Sequence, residues 1–169
     1  MEILLVRHAI AGERDAAKWP DDRLRPLTRE GIKKFRSAAR GLSRLIEMPD
    51  AVLSSSLARA WQTAEILEGT CGWPEAERLA ALEPGHKAAE ALAALKKWGS
   101  DERVVLVGHE PDLGGLLATM LAGAPEVLAV EFKKGGAALV RFDEVPRAGG
   151  GKLLWLVPPR ILRASAEDN

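Results

Sequence analysis

This 169-residue sequence is poor in three features, and each absence limits the kind of protein that it can be. The first is net charge, since 24 Lys and Arg residues are balanced by 24 Asp and Glu residues. Proteins that bind nucleic acid by neutralising its phosphates normally carry a basic excess. We therefore expect no nucleic-acid partner, and we expect any anion site to be built from a few individually placed arginines.

Cysteine and long hydrophobic runs are the other two scarce features. Cys71 is the only cysteine, which excludes an internal disulfide and suits a reducing compartment. No stretch approaches the ~20 apolar residues of a membrane span. Glu2 opens the chain and Arg7 interrupts the first apolar run too early for a signal peptide. We expect a cytoplasmic protein with no membrane partner.

The sequence does contain an alternation of short apolar runs and segments with helical spacing. The apolar runs predict strands at the start of the chain and at 51–53, 77–80 and 104–107. Apolar residues three and four positions apart predict a helix after each strand, the first of them capped by Thr28. Such an alternation is typical of a parallel sheet with helices on both faces.

The last part of the chain has a different pattern. Residues 127–132 and 137–142 predict a hairpin, and 153–157 predict one more strand. The whole chain is therefore predicted to be an α/β protein, a three-layer sandwich with a mainly parallel central sheet, an antiparallel edge and no cap domain. We expect one domain over residues 1–162 and a frayed tail over 163–169.

Two of the three histidines directly follow buried strands. The run EILLVR stops at His8, immediately after Arg7, and the run VVLVG stops at His109. Ligands bind at the carboxyl ends of the strands in open α/β sheets. A neutral imidazole is a competent nucleophile toward phosphorus, and a neighbouring guanidinium neutralises phosphoryl oxygens. Each histidine, taken alone, is equally well explained as a residue that merely satisfies a strand end.

A serine-rich turn gives a third element at the same rim. Ser54-Ser55-Ser56 follows the second strand, and Arg59 lies in the first turn of the helix after it. Hydroxyl and backbone N–H groups gather there. The positive charge of Arg59 opposes the helix dipole unless an anion binds nearby. An ordinary serine cap and a solvated arginine remain the alternative, but three independent ordinary explanations would not place these residues on one rim.

Four ordered motifs carry a family resemblance: LLVRHA, RPLTREG, LSSSLARAWQTA and LVGHEP. Together they resemble the histidine phosphatase superfamily (phosphoglycerate mutase-like), and most of all its short bacterial branch of phosphohistidine phosphatases. The match runs in order from Met1 to about Leu121. The family usually has glycine after Arg-His, and this chain has Ala9, so we expect a slightly crowded turn.

The resemblance implies a role for each matching residue. His8 would be the nucleophile that becomes transiently phosphorylated, while Arg7, Arg59 and His109 would grip the phosphoryl group. Arg25, in the second motif, would line the entrance and bind substrate. Phosphate or sulfate would occupy the pocket. No metal or other cofactor is implied, and the glycines at 149–151 lack the Lys-Ser/Thr of a phosphate-binding loop.

The proton donor is where this chain departs from larger family members, which supply a carboxylic acid from an insertion. Glu83 is the one carboxylate placed near the rim, and a solvated loop glutamate is an equally good interpretation. The resemblance therefore implies a phosphatase acting on phosphohistidine in a protein partner, such as a signal-transducing phosphorelay or phosphotransferase component. A phosphatase of small phosphate esters and a non-catalytic phosphate-binding module are the alternatives.

Overall fold

The computed structural model describes residues 1–167 of the chain. Two 3-10 turns lie at Asp22–Leu24 and Ala80–Leu82. Within the described range, none of the helices combines the length and the apolar character that crossing a membrane requires. The strands and helices are, in chain order, β1 (Glu2–Arg7), α1 (Arg29–Leu45), β2 (Ala51–Ser54), α2 (Ala58–Cys71), β3 (Ala76–Arg78), α3 (Ala88–Leu95), β4 (Arg103–Gly108), α4 (Asp112–Ala122), β5 (Ala137–Arg141), β6 (Lys152–Val157) and α5 (Pro159–Glu167).

One six-stranded sheet runs through the molecule in the order β3-β2-β4-β1-β5-β6. The first four strands in that order are parallel, and β5 and β6 add an antiparallel edge. The predicted fold class is confirmed. Strand β1 shows why the sheet forms, because its four central side chains are fully buried. Leu4 and Val6 pack toward α1, α2 and α5, whereas Ile3 and Leu5 pack toward α3 and α4.

Helix α1 begins where the sequence predicts. The Thr28 side chain accepts a hydrogen bond from the Gly31 N–H, and Glu30 adds an acidic side chain in the first turn. Both features satisfy the positive end of the helix. The loop from His8 to Thr28 is thereby held at the carboxyl end of β1, beside the predicted site.

The predicted strand over 127–132 is wrong, since this segment contains no strand. Phe132 explains the difference: its side chain is 1% exposed, and its N–H donates to the Glu110 carboxylate. The Phe132 N–H and side chain therefore contact the residues at the start of α4, and the segment does not pair with a strand. The hairpin forms instead between β5 and β6, and β5 also pairs with β1.

The frayed tail predicted over 163–169 needs correction for residues 163–167, which continue α5. This helix lies directly on α1. Leu162 is fully buried, and a Cβ added to Gly41 would fall 1.8 Å from the Leu162 carbonyl oxygen. Arg44 of α1 also donates to the Ser165 carbonyl at 2.6 Å. Residues 168–169 lie outside the described residues.

Candidate active site

The sheet order brings the predicted site residues to one edge, because β2, β4 and β1 are neighbours and parallel. Arg7 pairs with Gly108 in the β1–β4 register, and the His8 N–H donates to the Gly108 carbonyl at 3.0 Å. His8 and His109 therefore emerge side by side, with ring centroids 5.2 Å apart. Backbone pairing of buried strands thus fixes the separation of the two imidazoles.

His8 is buried, and one of its ring nitrogens is engaged in a hydrogen bond to the backbone. Nδ1 lies 2.7 Å from the Ala9 carbonyl oxygen. Since a carbonyl oxygen only accepts, Nδ1 carries the hydrogen and Nε2 keeps a free lone pair. Burial lowers the pKa of His8 to about 3, with Arg59 and Arg7 adding to the effect and the bond to Ala9 opposing it. The imidazole is therefore neutral near pH 7.

His109 lies opposite and is just as buried. Its Nε2 is 2.8 Å from the Ser55 Oγ, and its Nδ1 is buried without a hydrogen-bond partner among the described residues. Burial, followed by the proximity of His8 and then of Arg59, lowers its pKa to about 3. A buried ring nitrogen without a protein partner is unusual in a folded protein and marks this imidazole as a candidate functional group.

Arg7 and Arg59 each have one end of the guanidinium anchored and a buried Nε without a partner in the described part of the chain. Arg7 Nη1 donates to the Phe132 carbonyl oxygen. Arg59 Nη1 donates to the Asp22 carbonyl at 2.9 Å and lies 3.2 Å from the Asp22 carboxylate. Leaving a buried donor unpaired costs about 1–3 kcal/mol, and an oxyanion is the natural acceptor for two cationic donors.

Arg59 is positioned through Thr63, one turn further along α2. The Thr63 hydroxyl donates to the Arg59 carbonyl at 2.7 Å and accepts from the Ala9 N–H at 3.0 Å. This single hydroxyl therefore connects the arginine-bearing turn to the loop that holds His8. A threonine inside an otherwise apolar helix face carries no sequence signal for such a role.

Arg25 is linked to Arg59 by Asp22, an acidic residue that contacts both guanidinium groups. Its Nε donates to the Asp22 carboxylate at 2.7 Å, and its Nη1 donates to the Gly12 carbonyl at 2.8 Å. The bond from Arg25, together with the nearby charge of Arg59, lowers the pKa of Asp22. Asp22 thus links Arg25 to Arg59. The sequence marks Asp22 only as one of several acidic residues in a polar loop.

Glu83 lies at the rim but is engaged elsewhere. Its carboxylate accepts from the Ser56 hydroxyl at 2.5 Å and lies 3.6 Å from the Arg23 guanidinium. Neither contact is with the two imidazoles, although Ser56 directly follows the serine that contacts His109. His86, two residues after Pro84, is at the surface and pairs with Glu90 at 2.8 Å.

The arrangement combines two neutral imidazoles with buried guanidinium donors. Within the described residues, no three or more His, Cys, Asp or Glu side chains are grouped to hold a metal ion. The cationic groups of the site are those of Arg7, Arg25 and Arg59. A tetrahedral oxyanion fits this chemistry, because guanidinium groups bind its oxygens while an unprotonated imidazole lies beside its central atom.

Comparison with known proteins bears on the family and the fold. Residues 3–83 match the histidine phosphatase superfamily (branch 1). An uncharacterized protein of Picosynechococcus sp. (strain ATCC 27264 / PCC 7002 / PR-6) is 39% identical over 116 residues, which cover 68% of this chain and 69% of that protein. The structure of the protein histidine phosphatase SixA complexed with tungstate is 29% identical, with a TM-score of 0.81 over 96% of this chain and 99% of that one.

The α-ribazole phosphatase of Shigella flexneri shares the fold alone, at 16% identity and a TM-score of 0.72 over 94% of this chain and 97% of that one. Matches in sequence and in structure thus lead to the same family. The strand-end imidazoles and the arginines around them lie on the fold that this family has. This chain belongs to the histidine phosphatase superfamily.

Proposed function

We propose that this protein is a phosphohistidine phosphatase, which removes the phosphoryl group from a histidine of a protein partner through a phosphorylated His8. The observation that carries the proposal is the committed tautomer of His8. Its Nδ1–H is bonded to the Ala9 carbonyl, so the neutral ring keeps the Nε2 lone pair free near the charges of Arg59 and Arg7. Attack on phosphorus needs this lone pair, which an imidazolium lacks.

The reaction follows from these positions in two steps. In the first, His8 Nε2 attacks phosphorus, an Nε2–P bond forms, and the P–N bond to the substrate imidazole breaks with its electron pair staying on that imidazole. Arg7, Arg59 and His109 hold the phosphoryl oxygens as charge builds on them. In the second step water attacks phosphorus, inorganic phosphate leaves with the water oxygen, one proton passes to solvent, and the lone pair returns to Nε2.

The leaving group favours a phosphorus–nitrogen bond over a phosphate ester. An imidazole ring already protonated on its remote nitrogen departs as a neutral molecule, whereas an alkoxide needs a proton from the enzyme. Glu83, the acid candidate, is held by Ser56 and Arg23 at the rim. The similarity to SixA and its complex with tungstate, a phosphate analogue, supports phosphate or sulfate as an occupant of the pocket. We place the reaction in the cytoplasm.

The second candidate is a phosphatase of small phosphate esters, and one observation favours it. The Ser56–Glu83 bond of 2.5 Å keeps a carboxyl group one residue away from the serine that contacts His109. A small shift of this loop would bring the acid to a leaving oxygen. The third candidate, a binding module without turnover, gives no use to the unpaired Nε2 lone pair of His8.

Steady-state kinetics on matched substrates separate these candidates. A phosphotransfer domain phosphorylated on histidine with phosphoramidate, a phosphoserine peptide and a small sugar phosphate would be compared by kcat/KM. The proposal expects the phosphohistidine substrate to be preferred by orders of magnitude. Comparable values for the esters would favour the second candidate, and phosphate binding without turnover of any substrate would favour the third.

A further inference from the structure

Glu110 directly follows His109. It is not one of the site residues described above, yet its carboxylate lies where it can organise the site. We propose that Glu110 is a positioning residue that orients the Arg7 guanidinium through the peptide groups of Phe132. The inference rests on the proposed function, because it concerns how the phosphoryl site is held. It assigns no contact between Glu110 and the substrate.

Both oxygens of the Glu110 carboxylate are used by backbone donors. Oε1 accepts from the Phe132 N–H at 2.7 Å, and Oε2 accepts from the Gly114 N–H at 3.3 Å. Gly114 lies in the first turn of α4, where N–H groups lack helical partners and the helix dipole favours a negative charge. The carboxylate thus ties the segment before β5 to the start of α4.

The same Phe132 residue continues the connection to Arg7. Its N–H is held by Glu110, and its carbonyl oxygen accepts from Arg7 Nη1. Because the Phe132 carbonyl holds Nη1, it sets the plane of the whole Arg7 guanidinium and so the orientation of its other donors. A carboxylate already occupied by two N–H groups influences Arg7 through the chain and not through a direct ion pair.

Packing leaves this segment little freedom to find another arrangement. The Phe132 side chain is 1% exposed in the core under α3 and α4. A Cβ added to Gly114 would fall 2.5 Å from the Val130 carbonyl oxygen and 3.0 Å from Glu110 Oε2. The loop therefore lies directly on the first turn of α4, and only glycine at position 114 admits that approach.

Beyond Phe132 the segment is fixed by β1 itself. The Gly135 N–H lies 3.1 Å from the carbonyl oxygens of both Arg7 and His8, and the Arg7 N–H donates to the Gly136 carbonyl at 3.1 Å. These bonds hold the Arg7 backbone but not its guanidinium. The specific contribution of Glu110 is thus the side-chain orientation of Arg7, which a double-mutant cycle isolates.

The test measures binding of inorganic phosphate by calorimetry, with turnover of the phosphohistidine domain as a second readout. Glu110→Ala is made in the parent and in Arg7→Ala. We expect about tenfold weaker phosphate binding in the parent background and less than about twofold in the Arg7→Ala background, since the effects of coupled neighbours are not additive. Equal losses in the two backgrounds would overturn the inference. Glu126→Ala, an exposed change in the preceding loop, is the matched control.

A second pair of variants keeps the test decisive if Glu110→Ala does not fold. Glu110→Gln keeps the length and one oxygen that accepts from Phe132 but loses the acceptor for the Gly114 N–H, whereas Glu110→Asp keeps the charge but is one methylene too short. We expect a smaller loss of phosphate binding for Gln than for Asp. The reverse order would mean that charge matters, and it would overturn the inference. A parent that binds phosphate without turning over any substrate defeats the proposed function alone.

Discussion

His8 and His109 face each other with their ring centroids 5.2 Å apart and their planes tilted by 53°. The separation follows from the pairing of Arg7 with Gly108 in neighbouring buried strands. Among the described hydrogen bonds the two imidazoles have separate partners: His8 bonds to the Ala9 carbonyl and His109 bonds to the Ser55 hydroxyl. A phosphoryl group between the rings would meet one imidazole as nucleophile and the other as oxygen ligand.

Replacing Arg59 should impair turnover much more than binding of the protein partner. Removing a preorganised donor to developing charge typically costs about 10²–10³ in rate. We expect a loss of that size in kcat for Arg59→Ala and an intermediate loss for Arg59→Lys, because an ammonium lacks the planar fork of the guanidinium. The exposed Arg29→Ala is the control, and steady-state kinetics is the measurement. A kcat within a few-fold of the parent in Arg59→Ala would contradict the predicted role.

The buried imidazoles predict a specific dependence of stability on pH. His8 and His109 each have a pKa of about 3 when folded, well below the ordinary value. The unfolded chain therefore binds more protons between about pH 6.5 and 3. Their contribution to stability is complete above about pH 6.5 and is lost as the pH falls toward 3, by up to about 1.4 kcal/mol per pH unit for each histidine.

Urea unfolding at a series of pH values from 7.5 to about 4.5 measures this slope. His109→Asn should remove about half of the contribution from the two rings while leaving the fold intact. A slope that is the same in the variant and the parent would show that His109 has the same pKa in the folded and unfolded protein, which contradicts the lowered value.

Glu83→Gln tests whether the rim carboxylate donates a proton. We expect little change in kcat/KM on the phosphohistidine domain, because the nitrogen leaving group needs little help. On phosphate esters the same change should lower the rate about 10²-fold if Glu83 is the acid there. Parallel kinetics on both substrate types is the measurement. An equally large loss on phosphohistidine would remove the reason for preferring that substrate.

The contact between α1 and α5 gives a prediction on stability that is independent of the site. Gly41 admits the Leu162 carbonyl where a Cβ would lie 1.8 Å from its oxygen. Gly41→Ala should therefore force the helices apart and destabilise the protein by ~1–3 kcal/mol, the usual range for overpacking. Gly69→Ala, where nothing lies within 4 Å, is the matched control in thermal unfolding. Equal melting temperatures for the two variants would exclude the described docking of α5.

The sequence predicts well where the residues at the ends of buried strands lie. Continuous apolar runs identify β1 and β4, and parallel pairing then brings the ends of the runs together whatever lies between them. Arg7, His8 and His109 follow directly from this, and Arg59 follows from the turn after β2. The resemblance to a known family names the same residues.

The contacts that complete the site were beyond prediction because they depend on tertiary packing. Phe132 contributes a backbone carbonyl, which no side-chain pattern reveals, and its apolar neighbours predict a strand that packing on α4 prevents. Asp22 is a polar residue in a polar loop, where many others look alike, and the serine-rich turn does not show which of its hydroxyls contacts His109. Helix α5 buries Leu162 against a glycine, so its docking depends on backbone approach and not on a long apolar stripe.

The central claim is that the phosphoryl group passes through His8, and trapping the phosphorylated enzyme tests it most directly. The protein would be mixed rapidly with the phosphohistidine domain carrying radiolabelled phosphate, denatured in alkali within milliseconds, and mapped by peptide mass spectrometry. We predict label on His8 that is stable to alkali and lost in acid, as expected for phosphohistidine, and none in His8→Ala. Rapid phosphate release with no labelled enzyme, or label retained in His8→Ala, would contradict the claim.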